Sequence, residues 1–277
     1  MTAVAAAPGL VVRDLGDHGY VTFQAGEGRK RAYHHKTTLA DKGRRLTSVT
    51  TVLGCLEKRA LYAWHEAKGA EGAVLAARAG ELDVAGCEPS EAIQTVRALG
   101  LGADAAKKQA ADRGLDVHGA LELWATTGAL PAAGDLRMDA RPYLQGLARW
   151  LLAADPVPVK VEEIVCHPDL GYAGRYDLLA DVGGVRALVD LKTSRSGRPY
   201  AEAHTQLRAY WQAENAVGVD GIDQAFAVGV SPDGGFAVES CCAPVDAFEK
   251  VLAVYRLRLE IDREVRAMRK ETAGGAA

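Results

Sequence analysis

Apolar and polar residues change their period along the chain, and each change marks a different kind of element. Residues 10 to 35 alternate weakly in "LVVRDL", "YVTFQA" and "RKRAYHHK", with turn residues between the runs, which predicts a small antiparallel β element within residues 1–45. From "LTSVTTVLGCLEKRALYAWHEAKGAEGAVLAARAG" onward, apolar residues recur at three and four, with Ser48 or Thr47 as N-cap. Ala-rich helices follow to about residue 153, interrupted near Gly80, Gly86 and "TTGALPAAGD", so residues 46–157 read as a helical part. After Pro158 come three strand-like runs, "VPVKVEEIVCHP", "AGRYDLLADV" and "VRALVDLKT", then the helical "RPYAEAHTQLRAYWQAENA". "DQAFAVGVS" and "GFAVESCC" are further strands, and Pro244 opens a long helix with Phe248, Leu252, Tyr255 and Leu259 on one stripe. This order predicts an α/β (α+β) core over residues 158–271, and residues 272–277 form a disordered tail.

The hairpin "GYAGRYDLLADVGGVRALVDLKTS" carries the most chemistry. Gly183-Gly184 suits the primed turns that close tight hairpins. Val182 then faces Val185, and stepping outward pairs Asp181 with Arg186, Leu179 with Leu188, and Asp177 with Asp190. Alternation puts Tyr176, Leu178, Ala180, Val182, Val185, Ala187, Val189 and Leu191 on one apolar face, and Asp177, Asp190 and Lys192 on the other. Opposed like charges are destabilising, so a proton or a cation must compensate them. Two aspartates with nearby carbonyl oxygens form a hard-oxygen site suited to Mg²⁺ or Mn²⁺. Lys192 projects from the same face, where an amine can polarise a water or stabilise developing phosphorane charge.

Composition narrows the options. The chain of 277 residues is 48% hydrophobic, enough for a sizeable core. Its formal net charge of −3 gives no global attraction to nucleic acid, so any polyanion site must be a local basic patch. The five cysteines lack CxxC or Cys/His spacing, which excludes a disulfide framework and a zinc site, and no iron–sulfur cluster is expected. No segment reads as a leader or a membrane span, so a cytoplasmic location is expected.

Asp177 followed by Asp190-Leu191-Lys192 on the next strand resembles the PD-(D/E)XK nuclease signature, and the surroundings resemble RecB-like and phage-type exonucleases. "GYAGRYDLLA" is similar to the Gly-x-x-Asp strand of that group, "VDLKTS" to its metal-and-lysine strand, and "QLRAY" to its Gln-x-x-x-Tyr helix at Gln206 and Tyr210. "DRGLDVHGALELW" resembles the helix whose histidine, here His118, joins the metal shell. "SVTTVLGCLEKRALYAW" is similar to phage members, and the likeness runs over residues 46 to 215. The proline of the family name is missing, since Tyr176 precedes Asp177.

The resemblance implies a restriction-endonuclease-like αβββαβ core with a mixed sheet, elaborated by N-terminal helices and a long C-terminal helix. It implies one or two Mg²⁺ or Mn²⁺ ions held by Asp177, Asp190, the backbone carbonyl of Leu191 and His118, with Lys192 and Glu162 completing the catalytic set. His118 and Glu122 lie four apart, hence on one helix face. Alternation admits only one of Glu162 and Glu163; the family's glutamate sits at the offset of Glu162, fifteen residues before Asp177. Gln206 and Tyr210 could hold a phosphate or orient Lys192, and equally could belong to a core stripe. Arg175, Arg186, Arg195, Arg198 and Arg208 are candidates for the DNA backbone, with "KTSRSGRPY" as the phosphate-contacting loop.

The implied activity is a DNA exonuclease of phage or bacterial recombination and repair, acting beside a single-strand annealing protein. Ring-forming relatives make a homo-oligomer compatible with the sequence. An endonuclease of the same fold and a non-catalytic nucleic-acid-binding protein are the alternatives, and a structural or assembly protein is a third that predicts no metal affinity. No GxxxxGK[ST] run is present, so unwinding would fall to another protein.

Overall fold

The computed structural model describes residues 9–25, 32–56, 59–218 and 221–274. Four antiparallel strands come first: β1 (Leu10–Asp14), β2 (Tyr20–Gln24), β3 (Ala32–Lys36) and β4 (Arg44–Ser48). Residues 1–8 and 26–31 of the expected β element lie outside the described residues. Ser48 ends β4 and caps the short helix α1 (Val49–Leu53), its side chain accepting from the Thr51 amide. Leu46 and Thr47, expected at the start of a helix, belong to β4 instead. The reason is tertiary: Thr47 and Ser48 pair in parallel with Tyr172 and Ala173 far along the chain.

Helices α2 (Arg59–Arg78), α3 (Pro89–Ala98), α4 (Ala103–Thr127) and α5 (Arg141–Ala154) follow. The break between α3 and α4, at Leu99 to Gly102, escaped the Gly80, Gly86 and "TTGALPAAGD" signals used to divide the region. Next come β5 (Val157–His167), β6 (Tyr172–Val182), β7 (Val185–Thr193), α6 (Ala201–Val217), β8 (Gln224–Val230), β9 (Phe236–Ser240) and α7 (Ala247–Gly274). The run from α5 to β8 is the αβββαβ core. α7 continues through the first residues expected to be a tail, where Thr272 Oγ1 bonds back to the carbonyls of Met268 and Arg269; residues 275–277 lie outside the described residues.

The strands form one mixed sheet in the order β1-β2-β3-β4-β6-β7-β8-β9, with β5 also on β6. β5 occupies one edge of β6 along its length, so β4 and β7 must share the other. β4 takes Tyr172 and Ala173, and β7 takes Leu178 to Val182. Among the described residues Gly174 to Asp177 are thereby left without a strand on that side, and the candidate site forms at this gap.

Both faces of the sheet are covered. Leu178, Ala180, Val189 and Leu191 pack with α4 and α5 through Leu121, Leu144 and Leu147. Leu179 and Leu188 pack on the other face against Leu207 and Tyr210 of α6 and Phe248 of α7. A third cluster, with Leu15, Val21, Ile164 and Ala173, lies beneath the N-terminal strands.

The hairpin register agrees with the alternation argument for Val182↔Val185, Asp181↔Arg186 and Leu179↔Leu188. Gly183 and Gly184 both adopt positive φ, 59° and 83°, as a primed turn requires. Two expectations fail: the ladder ends at Leu178↔Val189 and does not pair Asp177 with Asp190, and Tyr176 does not share the face of Leu178 but joins Leu179 and Leu188 against α6. The cause is local. Glu162 on β5 has φ 51°, and the β5–β6 ladder runs Val161↔Leu178 and then Glu163↔Tyr176, passing over Glu162 and Asp177. A single left-handed residue turns the strand over, and the two strands reverse their faces together at this point.

Gly174 meets the same α6 surface without a side chain: a Cβ there would lie 2.3 Å from Tyr210 Cε1. Gly174→Ala is expected to destabilise the fold by about 1–3 kcal/mol through overpacking, read by denaturant unfolding. An unchanged midpoint would show that Tyr210 moves aside freely.

Candidate active site

Asp177 sits at the end of the β6–β7 ladder, whose last pair is Leu178↔Val189. The two aspartates are therefore one step past the final pair, where the strands part and β7 continues along β8 from Asp190↔Ala227 to Thr193↔Val230. In place of a ladder bond, Asp177 Oδ2 accepts from the Leu191 amide at 2.6 Å. Its Oδ1 lies 3.1 Å from His118 Nδ1, on the middle of α4. Asp190 is 1% exposed, with Oδ2 2.5 Å from Lys192 Nζ. Among the described residues Asp190 Oδ1 is buried without a hydrogen-bond partner.

The left-handed backbone decides between the adjacent glutamates. Glu162 is brought within 4.8 Å of ligand atoms of both Asp177 and His118. Glu163 points the other way, 3.2 Å from Arg13 Nε. Arg13 is in turn held by two bonds to Glu214 on α6, at 2.6 and 2.8 Å, and by the Ile164 carbonyl. This buried cluster of β1, β5 and α6 flanks Glu162 on its C-terminal side. Local patterning missed it because Arg13 and Glu214 stand 201 positions apart. The available signal was an acid on the buried stripe of α6, between Tyr210 and Val217.

The remaining residues fall into separate places. Gln206 Nε2 donates to the Tyr210 phenol at 2.8 Å, and both line a cleft of about 770 Å³ with Arg175, Arg45, Thr47, Ser48 and Tyr33. Arg175 also lies 2.8 Å from Glu162, so it links this cleft to the carboxylates. Arg195 and Arg198 are exposed on the loop after β7, with no ion-pair partner among the described residues. Arg186 pairs with Asp181, while Arg208 bonds to the Ala243 carbonyl and stacks over Trp211. Glu122 is exposed on α4.

The electrostatics follow from burial and proximity. Burial and then the Asp177 charge push the Glu162 carboxyl up to about 7, by more than Arg175 pulls it down. Asp190 is likewise raised, burial outweighing the attraction of Lys192. Burial opposes ionisation of Asp177, yet His118, Lys192 and the Leu191 amide together hold it below the usual carboxylate range. Burial likewise disfavours the charged forms of His118 and Lys192, but their aspartate partners outweigh it and raise both. Two of the three carboxylates therefore resist ionising together.

A divalent cation fits these donors. The carboxylates of Glu162 and Asp177 and the imidazole of His118, which lie together, are the hard and borderline ligands that Mg²⁺ and Mn²⁺ accept; Asp190, expected as a ligand, lies outside this group and pairs with Lys192, its Oδ1 without a hydrogen-bond partner among the described residues. The sign of the pH effect follows. Folded Glu162 keeps its proton to about 7, whereas the unfolded residue releases it near 4.5, so this residue makes the metal-free protein lose stability as pH rises across that window. A cation reverses the loss by neutralising the carboxylates and competing with the His118 proton. The rise in Tm on adding Mn²⁺ is expected to be larger above about pH 7 than near about pH 5. Equal rises at both would place the ion elsewhere.

Carboxylates and a lysine where the central strands of a mixed sheet part, with an imidazole beside them, are the architecture of a nuclease. The chain belongs to the PD-(D/E)XK nuclease superfamily, whose family model matches residues 94–260. Among solved structures, one described as SSO0001 is similar at 21% identity over 42% of this chain and 57% of that one, with a TM-score of 0.29. An alkaline exonuclease (LHK-Exo) from Laribacter hongkongensis is similar at 18% identity over 60% of this chain and 93% of its own, with a TM-score of 0.34. Its complex with dAMP gives 16% identity over the same shares, with a TM-score of 0.34. The chain thus spans little more than half of SSO0001. No curated protein matches it. Among the described residues no helix is long and apolar enough to cross a membrane.

Proposed function

We propose that the protein is a divalent-metal-dependent DNA exonuclease, removing nucleotides from DNA ends. The observation that carries the catalytic reading is the pair of buried Asp190 with half-buried Lys192 beside Asp177, with Asp190 Oδ1 left unsatisfied among the described residues. Asp177, Asp190, His118 and Glu162 would hold Mg²⁺ or Mn²⁺, with the Leu191 carbonyl as a further oxygen. When bound, the cation supplies a water of lowered pKa and neutralises charge on the scissile phosphate. The protein's own groups supply the orientation. His118 and the Leu191 amide fix the two oxygens of Asp177. Asp190 holds the Lys192 ammonium charged, so its Nζ can orient the attacking water or meet charge developing on the phosphate. Arg175 and Gln206 on the cleft, the latter held by the buried Tyr210, and Arg195 and Arg198 on the loop after β7, would bind the DNA backbone.

The preference for ends, the role in phage or bacterial recombination and repair, a single-strand annealing partner and a cytoplasmic location come from the resemblance of the motifs. The test is digestion of end-labelled linear and covalently closed circular DNA with Mg²⁺, Mn²⁺ or EDTA. Metal-dependent loss of linear DNA alone is expected. Cutting of circles would make the protein an endonuclease, and binding without cleavage under either metal would remove the catalytic reading.

A further inference from the structure

The second half of α7 is exposed among the described residues. Phe248 and Leu252 are buried against the body and Tyr255 packs beside them, but from Arg256 to Thr272 every residue except the half-buried Val265 is exposed. At about 1.5 Å per residue this is a helix of ~25 Å that, beyond the bond from Arg256 to the Leu170 carbonyl, is left largely uncovered by the described residues, a length that is marginal on its own in water. Its exposed surface is nevertheless patterned. At about 100° per residue, Leu257, Met268, Ile261, Val254 and Val265 fall within a sector of ~80°, roughly 130° round the helix from the line that meets the body. Val254, Leu257, Ile261 and Met268 are 57%, 56%, 50% and 61% exposed.

Charge says what covers this stripe. One edge carries Glu260, Glu264 and Glu271, and the other carries Arg258 and Arg269 with Asp262 beside them, so it is basic on balance. None of these six side chains has an ion-pair or hydrogen-bond partner among the described residues. A surface acidic along one edge and basic along the other is complementary to itself. When two copies pair in parallel about a two-fold axis along the helices, each acidic edge meets the partner's basic edge; an antiparallel pair would set like against like. The body-facing side of each helix then points outward, so the two bodies do not collide.

We propose that the projecting half of α7 pairs in parallel with the same segment of a second copy, making the protein a homodimer. This inference does not depend on the nuclease reading. Sedimentation equilibrium of the full chain at micromolar concentration tests it, beside Ile261→Glu, whose site is exposed and outside the core. A mass of two chains for the wild type, falling to one chain in Ile261→Glu with unchanged circular dichroism, is expected. Met268→Cys then tests direction: parallel pairing brings the two copies of residue 268 together, so oxidation yields a covalent dimer that the unmodified protein does not form. A monomeric wild type would overturn the proposal, as would a dimer that survives Ile261→Glu. If wild type alone is monomeric but associates with a different protein through this stripe, a heterologous partner replaces the second copy. Failure of Met268→Cys to cross-link would overturn the parallel arrangement.

Discussion

Lys192→Ala is expected to lower DNA cleavage by about two to three orders of magnitude, the usual loss when one preorganised charge-stabilising donor is removed. DNA binding should persist, because the exposed Arg195 and Arg198 are untouched. The variant should also become more sensitive to high pH. Lys192 is the cation nearest Asp190, whose carboxyl burial already raises. Without the ammonium, Asp190 ionises less readily still, and the metal-free variant should lose Tm relative to wild type as pH rises through the range in which wild-type Asp190 is charged. Arginine should not restore activity, since a planar guanidinium does not fit the place of a compact ammonium at 2.5 Å from Asp190. Single-turnover digestion by the alanine and arginine variants in Mg²⁺, beside binding in EDTA, reads all of this. Cleavage within a few-fold of wild type would remove Lys192 from the chemistry.

The second large effect is on stability. Arg13→Met is expected to cost about 3–5 kcal/mol, because it strips the counter-charge from a fully buried Glu214. For a chain of this size that is a fall in Tm of roughly 6–20 °C. The charges are costly to separate rather than intrinsically stabilising, so Arg13→Met with Glu214→Leu should recover much of the loss. Thermal melts of the single and double variants decide it. A double variant no better than the single would mean that the hydrogen bond from Arg13 to the Ile164 carbonyl matters more than its charge pair.

These two sites also show what could be read from the sequence. The hairpin register was legible because a Gly-Gly turn and strict alternation leave one pairing, and so were the strands and helix that follow. That register also brought Asp177, Asp190 and Lys192 near one another, although the ladder stops one step short of pairing the two aspartates. The face of Tyr176 and the choice between Glu162 and Glu163 were not: period-two logic assumes an unbroken strand, and one residue at φ 51° inverts it. Thr47 looked helical because its strand partner, Tyr172, lies over a hundred residues away. Arg13 carried no local sign of its role, since an isolated cation in a short strand usually faces water.

The distance between Arg13 and Glu214 has a further consequence during synthesis. At about 5–20 residues per second, roughly 10–40 s separate the appearance of the two on the ribosome. Until β6 is made, for most of that interval, β4 has no β6 to pair with and presents an open edge of the kind that recruits other chains. An edge left open for that long is expected to favour aggregation of the nascent chain. Slowed translation ahead of α6 should increase aggregation even when every residue is unchanged.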